Sequence, residues 1–319
     1  WIGHHCAMRV LFSIAILLLA TASHGQQVPQ YTQNVFNYFS INPAVAGSKD
    51  CVDVRLGFRK QWVGFENAPT TGWASVHATI RNKKKPYVTG KHGIGGAVEA
   101  DDTGPLGYTL VHLAYAYHIR LNRGYYMALG LFAGVKQQKF DVGRVTLADY
   151  NDPVLNSKGS TFVVPMIAPG MWVYSNTWWL GLSVHQLLNN RMTGIGIDSR
   201  TTGHYFLSGG YRWRIGKKTS VTPSSLIKLS PGAPLAFDVN AMIEWDRKLG
   251  FGVSYRNQDA IALMIKLGFL KFFSLGYSYD ITTSPLRVAS SNTHEIILGI
   301  TPCIPVDPSK RIVRCPIFE

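Results

Sequence analysis

The stretch Leu235-Ala236-Phe237-Asp238-Val239-Asn240-Ala241-Met242-Ile243-Glu244-Trp245-Asp246 alternates without a break. Leu235, Phe237, Val239, Ala241, Ile243 and Trp245 fall on one face, Ala236, Asp238, Asn240, Met242, Glu244 and Asp246 on the other. Successive side chains of an extended strand point to opposite sides, so this is a strand with one apolar and one polar surface. The rhythm recurs along the chain. Val111, Leu113, Tyr115, Tyr117 and Ile119 oppose Leu110, His112, Ala114, Ala116 and His118; Tyr205, Leu207, Tyr211 and Trp213 oppose Ser208, Gly210, Arg212 and Arg214. Phe273, Leu275, Tyr277, Tyr279 and Ile281 face away from Ser274, Gly276, Ser278 and Asp280. Such segments, roughly ten residues each and parted by Gly, Asn, Asp, Pro and Lys, predict an all-β, transmembrane antiparallel β-barrel of about 14 strands (12–14).

Alternation by itself also suits a soluble sandwich, with its polar face turned outward. Three features select the barrel: aromatics gather at segment ends like interface girdles, small residues on the polar face suit a lumen, and a leader directs export. The polar face carries charge as well, at Arg212, Arg214, Asp238, Glu244, Arg256, Lys266, Asp280 and Glu295.

The leader follows Met8. Arg9 supplies a positive charge, Val10 to Ala20 form an apolar run, and Ser23 and Gly25 offer small residues before Gln26. That order reads as a secretory signal peptide over 8–25, with residues 1–7 preceding the true start. The run is too short to anchor the protein, since a spanning helix takes about 20 apolar residues. No later stretch reaches that length either. Removing residues 1–25 takes away Arg9 and no acid, so the net charge falls from +14 to +13. A basic exported chain favours acidic partners such as lipid head groups and excludes nucleic acid as the natural target. Three cysteines remain, Cys51, Cys303 and Cys315. An odd count leaves one thiol free or bridged to another chain, and a Cys303–Cys315 disulfide across the basic tail is the candidate pair. No metal spacing accompanies them.

Two blocks near the N-terminus are too particular for turn chemistry alone. The first runs from Gln30, Tyr31, Gln33, Phe36 and Asn37 to Asn42-Pro43-Ala44-Val45-Ala46-Gly47; the second is Arg59-Lys60-Gln61-Trp62-Val63-Gly64-Phe65-Glu66, then Ala68-Pro69. Turns explain the prolines and glycines. They do not explain amides set beside aromatics, a surface that both hydrogen-bonds and buries area. Internal plug or rim packing and direct partner contact both remain open for it.

The blocks resemble the N-terminal signature of the PorP/SprF family of type IX secretion proteins of Bacteroidetes. The resemblance continues through Gly93-Ile94-Gly95-Gly96-Ala97, Asp101-Asp102-Thr103-Gly104-Pro105, Asp149 to Pro153, Leu180 to Asn190, His204-Tyr205-Phe206 and Gly276-Tyr277-Ser278-Tyr279-Asp280. It implies an outer-membrane, non-enzymatic component of secretion and gliding, without cofactor. Its implied partners are outer-membrane lipid, periplasmic ring proteins and a peptidoglycan-binding protein, or the C-terminal signal domain of a secreted adhesin. The expected organisation is a signature segment at 26–50, a barrel over 51–301, and a basic periplasmic tail at 302–319. A passive porin is the alternative.

Catalytic readings are weak. Gly93-Ile94-Gly95-Gly96 lacks a following helix pattern and is no dinucleotide fingerprint. Ser183 and His185 share a strand face like a hydrolytic dyad, yet no third group to orient the histidine is identifiable. Asp101-Asp102 and Asp149/Asp152 lack the spacing of a calcium loop. No catalytic or metal residue is assigned.

Overall fold

A computed structural model describes residues 31–49, 51–80, 90–122, 124–144, 160–192, 200–216, 218–246, 248–257, 259–270, 272–288 and 292–302. The strands are β1 (Asp53–Lys60), β2 (Thr70–Ile80), β3 (Lys91–Thr103), β4 (Leu106–Asn122), β5 (Tyr125–Phe140), β6 (Ser160–Tyr174), β7 (Trp178–His185) and β8 (His204–Tyr211). They continue as β9 (Trp213–Ile215), β10 (Thr219–Leu229), β11 (Ala236–Trp245), β12 (Leu249–Arg256), β13 (Ala260–Phe269), β14 (Phe273–Thr282) and β15 (Thr293–Ile300). Neighbours in sequence pair antiparallel, and β1 closes onto β15, with Val54 opposite Ile300 and Lys60 opposite His294. Both β8 and β9 pair with β10, so they are two pieces of one stave, parted at Arg212. The result is a closed 14-strand antiparallel barrel. Closure leaves no open edge, which a sheet surrounded by hydrocarbon requires.

The faces divide as the alternation predicts. In β11, Val239, Ile243 and Trp245 are exposed, while Asp238, Asn240 and Glu244 are buried. In β4, Val111, Leu113, Tyr115 and Tyr117 are exposed against buried His112, Ala114, Ala116 and His118. Apolar side chains therefore line the outside and polar ones the lumen, the reverse of a soluble sandwich. Tight turns join β4 to β5, β9 to β10, β11 to β12 and β13 to β14 at one end. The connections 61–69, 141–159 and 186–203 join strands at the other end, as does the two-residue turn 104–105, while 81–90 joins β2 to β3 at the first end. Short turns mark the periplasmic side of such barrels and long connections the outer side. Exposed aromatics ring both ends, with Tyr117, Tyr125, Trp213, Trp245 and Phe269 toward the short turns and Phe58, Tyr205 and Tyr255 toward the long connections.

Cys51, just before β1, is disulfide-bonded. The chain's other cysteines, Cys6, Cys303 and Cys315, lie outside the described residues, as do the leader and most of the tail. A bridge from Cys51 to either tail cysteine would preclude the expected Cys303–Cys315 pair.

Burial depth sets the cost of a charge on the outer face. Val253, mid-strand in β12 and exposed, is expected to cost about 2–4 kcal/mol as Val253→Arg, while Leu229→Arg at the end of β10 costs about 1 kcal/mol or less. Urea titration of the protein refolded into lipid vesicles measures both; equal costs would mean that this face does not meet hydrocarbon.

Candidate functional site

Residues 31–49 enter the lumen instead of joining the wall. They form three short 3-10 turns, Thr32–Phe36, Tyr38–Ser40 and Pro43–Val45, and nearly all of them are buried. The segment runs from the ends of β14 and β1 near the long connections down to the start of β1 at the short-turn end.

Its upper end sits on a cluster of buried charges. Arg59 donates to Glu295 at 2.6 Å and lies 3.2 Å from Asp280. Glu295 also accepts the backbone N–H groups of Thr32 (2.8 Å) and Gln33 (3.0 Å), the donors a 3-10 turn leaves unpaired at its start. The Thr32 hydroxyl donates to Asp280 and accepts from Arg59 and, at 3.0 Å, from Arg256. Gln33 Nε2 donates to the Glu295 carbonyl at 2.9 Å, and Asn34 Nδ2 reaches Asp238 at 3.2 Å. Asp238 in turn pairs with Lys228 at 2.8 Å. Tyr31 donates to Glu99 and packs its ring 4.6 Å from Trp73. Phe36 lies beneath the Lys266 ammonium, 5.6 Å away, and Asn37 holds the turn through its N–H to the Asn34 carbonyl and its own carbonyl to Ser40.

The lower end is mostly apolar. Tyr38 packs against Trp172 and Trp179, and Phe39 against His77 and Phe132. Asn42 caps the Pro43–Val45 turn by accepting from the Ala44 N–H at 2.9 Å. Its Nδ2 reaches the Met171 and Leu182 carbonyls on β6 and β7. Below it the plug backbone presses on strand glycines: a Cβ on Gly170 would strike Asn42, one on Gly130 would strike Ala44, and one on Gly93 would strike Ala46. Gly47 lies against Gly93 at φ 72°, a conformation and a spacing that only glycine meets cheaply. His118 Nε2 donates to the Ala46 carbonyl at 2.7 Å, and its Nδ1 lies 3.0 Å from the Tyr174 hydroxyl. Ser183 and His185, the pair resembling a dyad, both donate to the Ile41 carbonyl, at 2.8 and 2.6 Å. They hold backbone.

The second sequence block therefore divides. Arg59 belongs to the lumen, whereas Gln61 to Phe65 build a rim turn between β1 and β2, half-buried at Gln61 to Val63 and exposed at Gly64 and Phe65. Gln61 N–H donates to the Pro69 carbonyl, Trp62 N–H to Thr293 and Val63 N–H to the Asn292 carbonyl. Trp62 (φ 44°), Gly64 (φ 94°) and Asn67 (φ 58°) all take left-handed conformations there. Gln30 lies outside the described residues. Sequence reasoning did not single out the wall partners Glu99, His118, Gly130 and Gly170. Their one signal is charge, histidine or glycine at lumen-facing positions, and that signal names no partner.

Two plug groups have displaced proton equilibria. Burial, then the charge of Glu99, holds the Tyr31 phenol well above its usual range. Burial lowers the Lys49 ammonium to about 7, against the opposing pull of Asp53, to which it donates. Among the described residues no group of three His, Cys, Asp or Glu side chains is disposed to hold a metal.

A closed barrel with an apolar outer face, girdled ends and a lumen filled by its own N-terminal segment defines an integral outer-membrane protein. The family model described as the type IX secretion system membrane protein PorP/SprF matches residues 23–300, and the chain belongs to that family. No curated protein sequence matches it. Among solved structures it is similar to the toluene transporter TbuX of Ralstonia pickettii (TM-score 0.50, 10% identity, 88% of this chain and 96% of that one). It is also similar to the CymD monoaromatic hydrocarbon channel (TM-score 0.46, 9% identity, 87% and 94%) and to the KdgM porin (0.37, 8%, 78% and 98%). At these identities the likeness concerns fold.

Three outcomes test the docked segment. Arg59→Met, which leaves Glu295 without its cation and Asp280 with Arg256 alone at 3.8 Å, is expected to cost about 3–5 kcal/mol in chemical unfolding. Gly130→Val should cost about 1–3 kcal/mol and raise amide exchange selectively over residues 42–47. Because folding lowers the Lys49 value, the folded state binds fewer protons than the unfolded one, so docking strengthens as pH rises from about 7 to about 10. Exchange of the Ser48 and Lys49 amides, corrected for intrinsic rate, should slow across that window; a constant corrected rate would refute the linkage.

Proposed function

We propose that the protein is a non-enzymatic outer-membrane anchor of type IX secretion and gliding. In this reading the barrel is fixed in lipid, and its periplasmic face holds ring proteins and a peptidoglycan-binding protein, or the C-terminal signal domain of a secreted adhesin. The basic tail at 302–319 and the short-turn mouth are the surfaces offered to them. The carrying observation is the lumen itself. Residues 31–49 close it through hydrogen bonds to β3, β4, β6, β7, β14 and β15, so the barrel presents a fixed body and not an open conduit. Ser183 and His185 direct their polar atoms to the Ile41 carbonyl, which supports a structural reading over a hydrolytic one.

Passage of small solutes is the second reading, supported by the fold's likeness to a solute-transporting barrel. Planar-bilayer recordings and crosslinking separate the two. As an anchor, the intact protein shows little steady conductance, deletion of residues 31–48 opens a large one, and crosslinking in whole cells captures periplasmic secretion proteins. Large steady currents from the intact protein, with no such captures, would overturn the anchor in favour of the channel.

A further inference from the structure

The plug does not fill the outer half of the lumen completely. A cavity of about 80 Å³ remains between its upper turns and the wall, lined by Trp73, Leu110, Met166, Phe206 and Leu226 among others. Into this apolar setting β5 brings Lys136, which is itself 7% exposed. Its ammonium lies 4.0 Å from the Tyr108 ring centroid, and among the described residues no carboxylate comes within ion-pair distance. The nearby carboxylate of Glu99 is engaged by the hydroxyls of Tyr31 and Tyr108. The other cation on the cavity wall, Lys228, is paired with Asp238.

The buried cations Arg59, Arg212 and Arg256 each have a carboxylate within ion-pair distance; Lys136 has an aromatic face, with Glu99 and Asp101 acting on it from further off. A buried charge without a direct ion pair is costly, and a ligand that brings one lowers the cost. Unmet hydrogen-bonding capacity also lies among the residues lining this cavity. Asn37 Nδ2 and Trp73 Nε1 have no acceptor, and neither ring nitrogen of buried His112 has a partner among the described residues. An ammonium in this cavity favours an acceptor-rich head, while the walls favour an apolar body. The volume favours a short one.

We infer that this cavity binds a small monocarboxylate with a short apolar body, its carboxylate on Lys136 and its carbon chain against Phe206, Leu226 and Met166. The inference does not depend on whether the protein anchors or conducts.

The test uses full-length protein in detergent micelles, titrated with butyrate by calorimetry, with 1-butanol and chloride as controls. Butyrate is expected to bind saturably and both controls weakly. Lys136→Met should weaken butyrate roughly 10- to 100-fold, the loss of one charge-assisted contact, and Lys136→Arg should retain most of it. In the unsubstituted protein, butyrate methyl protons should show Overhauser contacts to Met166 and Phe206, a readout that survives if a Lys136 variant fails to fold. Absence of saturable binding, equal binding in Lys136→Met, or competition by chloride at similar concentration would each overturn the assignment.

Discussion

Arg59 is held inside the barrel with two carboxylates, Glu295 and Asp280, drawn from adjacent strands, and Thr32 of the N-terminal segment is bound into the same group. Three charges in so small a space leave a net negative demand, which neighbouring Arg256 and two backbone N–H groups satisfy. The segment is thus part of the charge balance of the wall. A fourteen-strand barrel encloses more room than its own side chains fill, so a polar lumen must take in water or a structure of its own. Here the chain supplies that structure. Further along, Ile41, Asn42, Ala46 and Gly47 have wall contacts of their own.

Much of the fold is legible in the sequence, because a barrel strand needs only period two and a turn. The segment at 235–246 predicts β11 to within a residue at each end, and the count of about fourteen is the number of staves. Where prediction and structure differ, tertiary pairing is the reason. The Gly93–Ala97 run lies in a strand that extends to Thr103, because β3 and β4 continue as a tall hairpin to Leu106. The alternation from Tyr205 to Arg214 breaks at Arg212, whose side chain turns inward to Glu244 at 2.7 Å. A period-two pattern cannot register that break, since Arg212 holds the lumen-facing parity on both sides of it.

The site is less legible. Amides beside aromatics mark residues 31–47 as special, and Asn42-Pro43 announces a capped turn. Nothing in the local sequence states that the receptor is a row of glycines on β3, β5 and β6, since those glycines are spaced by strand pairing and not by sequence. The second block reads as one unit and is two. Arg59 is the last lumen-facing charge of β1, and the residues after it leave the barrel for the rim. Ser183 and His185 illustrate the same gap: their shared face is correct, and their chemistry is decided by a carbonyl more than a hundred residues away in sequence.

The two ends of the plug make unlike contributions. Hydrogen bonds at the upper end exchange against water whenever the segment leaves, because an emptied lumen hydrates, so each is worth about 0.5–1.5 kcal/mol, or about 1.5–3 where a charge takes part. The apolar side chains at the lower end have no such substitute. Tyr38, Phe39 and Val45 are at most 1% exposed, and full burial of side chains of this kind contributes about 1.5–3 kcal/mol each. By these figures the charged upper half contributes at least as much holding free energy as the aromatic, glycine-lined half. The charged half supplies direction, since a shift of one residue would take Thr32 and Gln33 off Glu295 and leave its carboxylate short of donors. Hydrophobic burial and charge-assisted bonds together keep the segment in place, and the Arg59 cluster decides in which register.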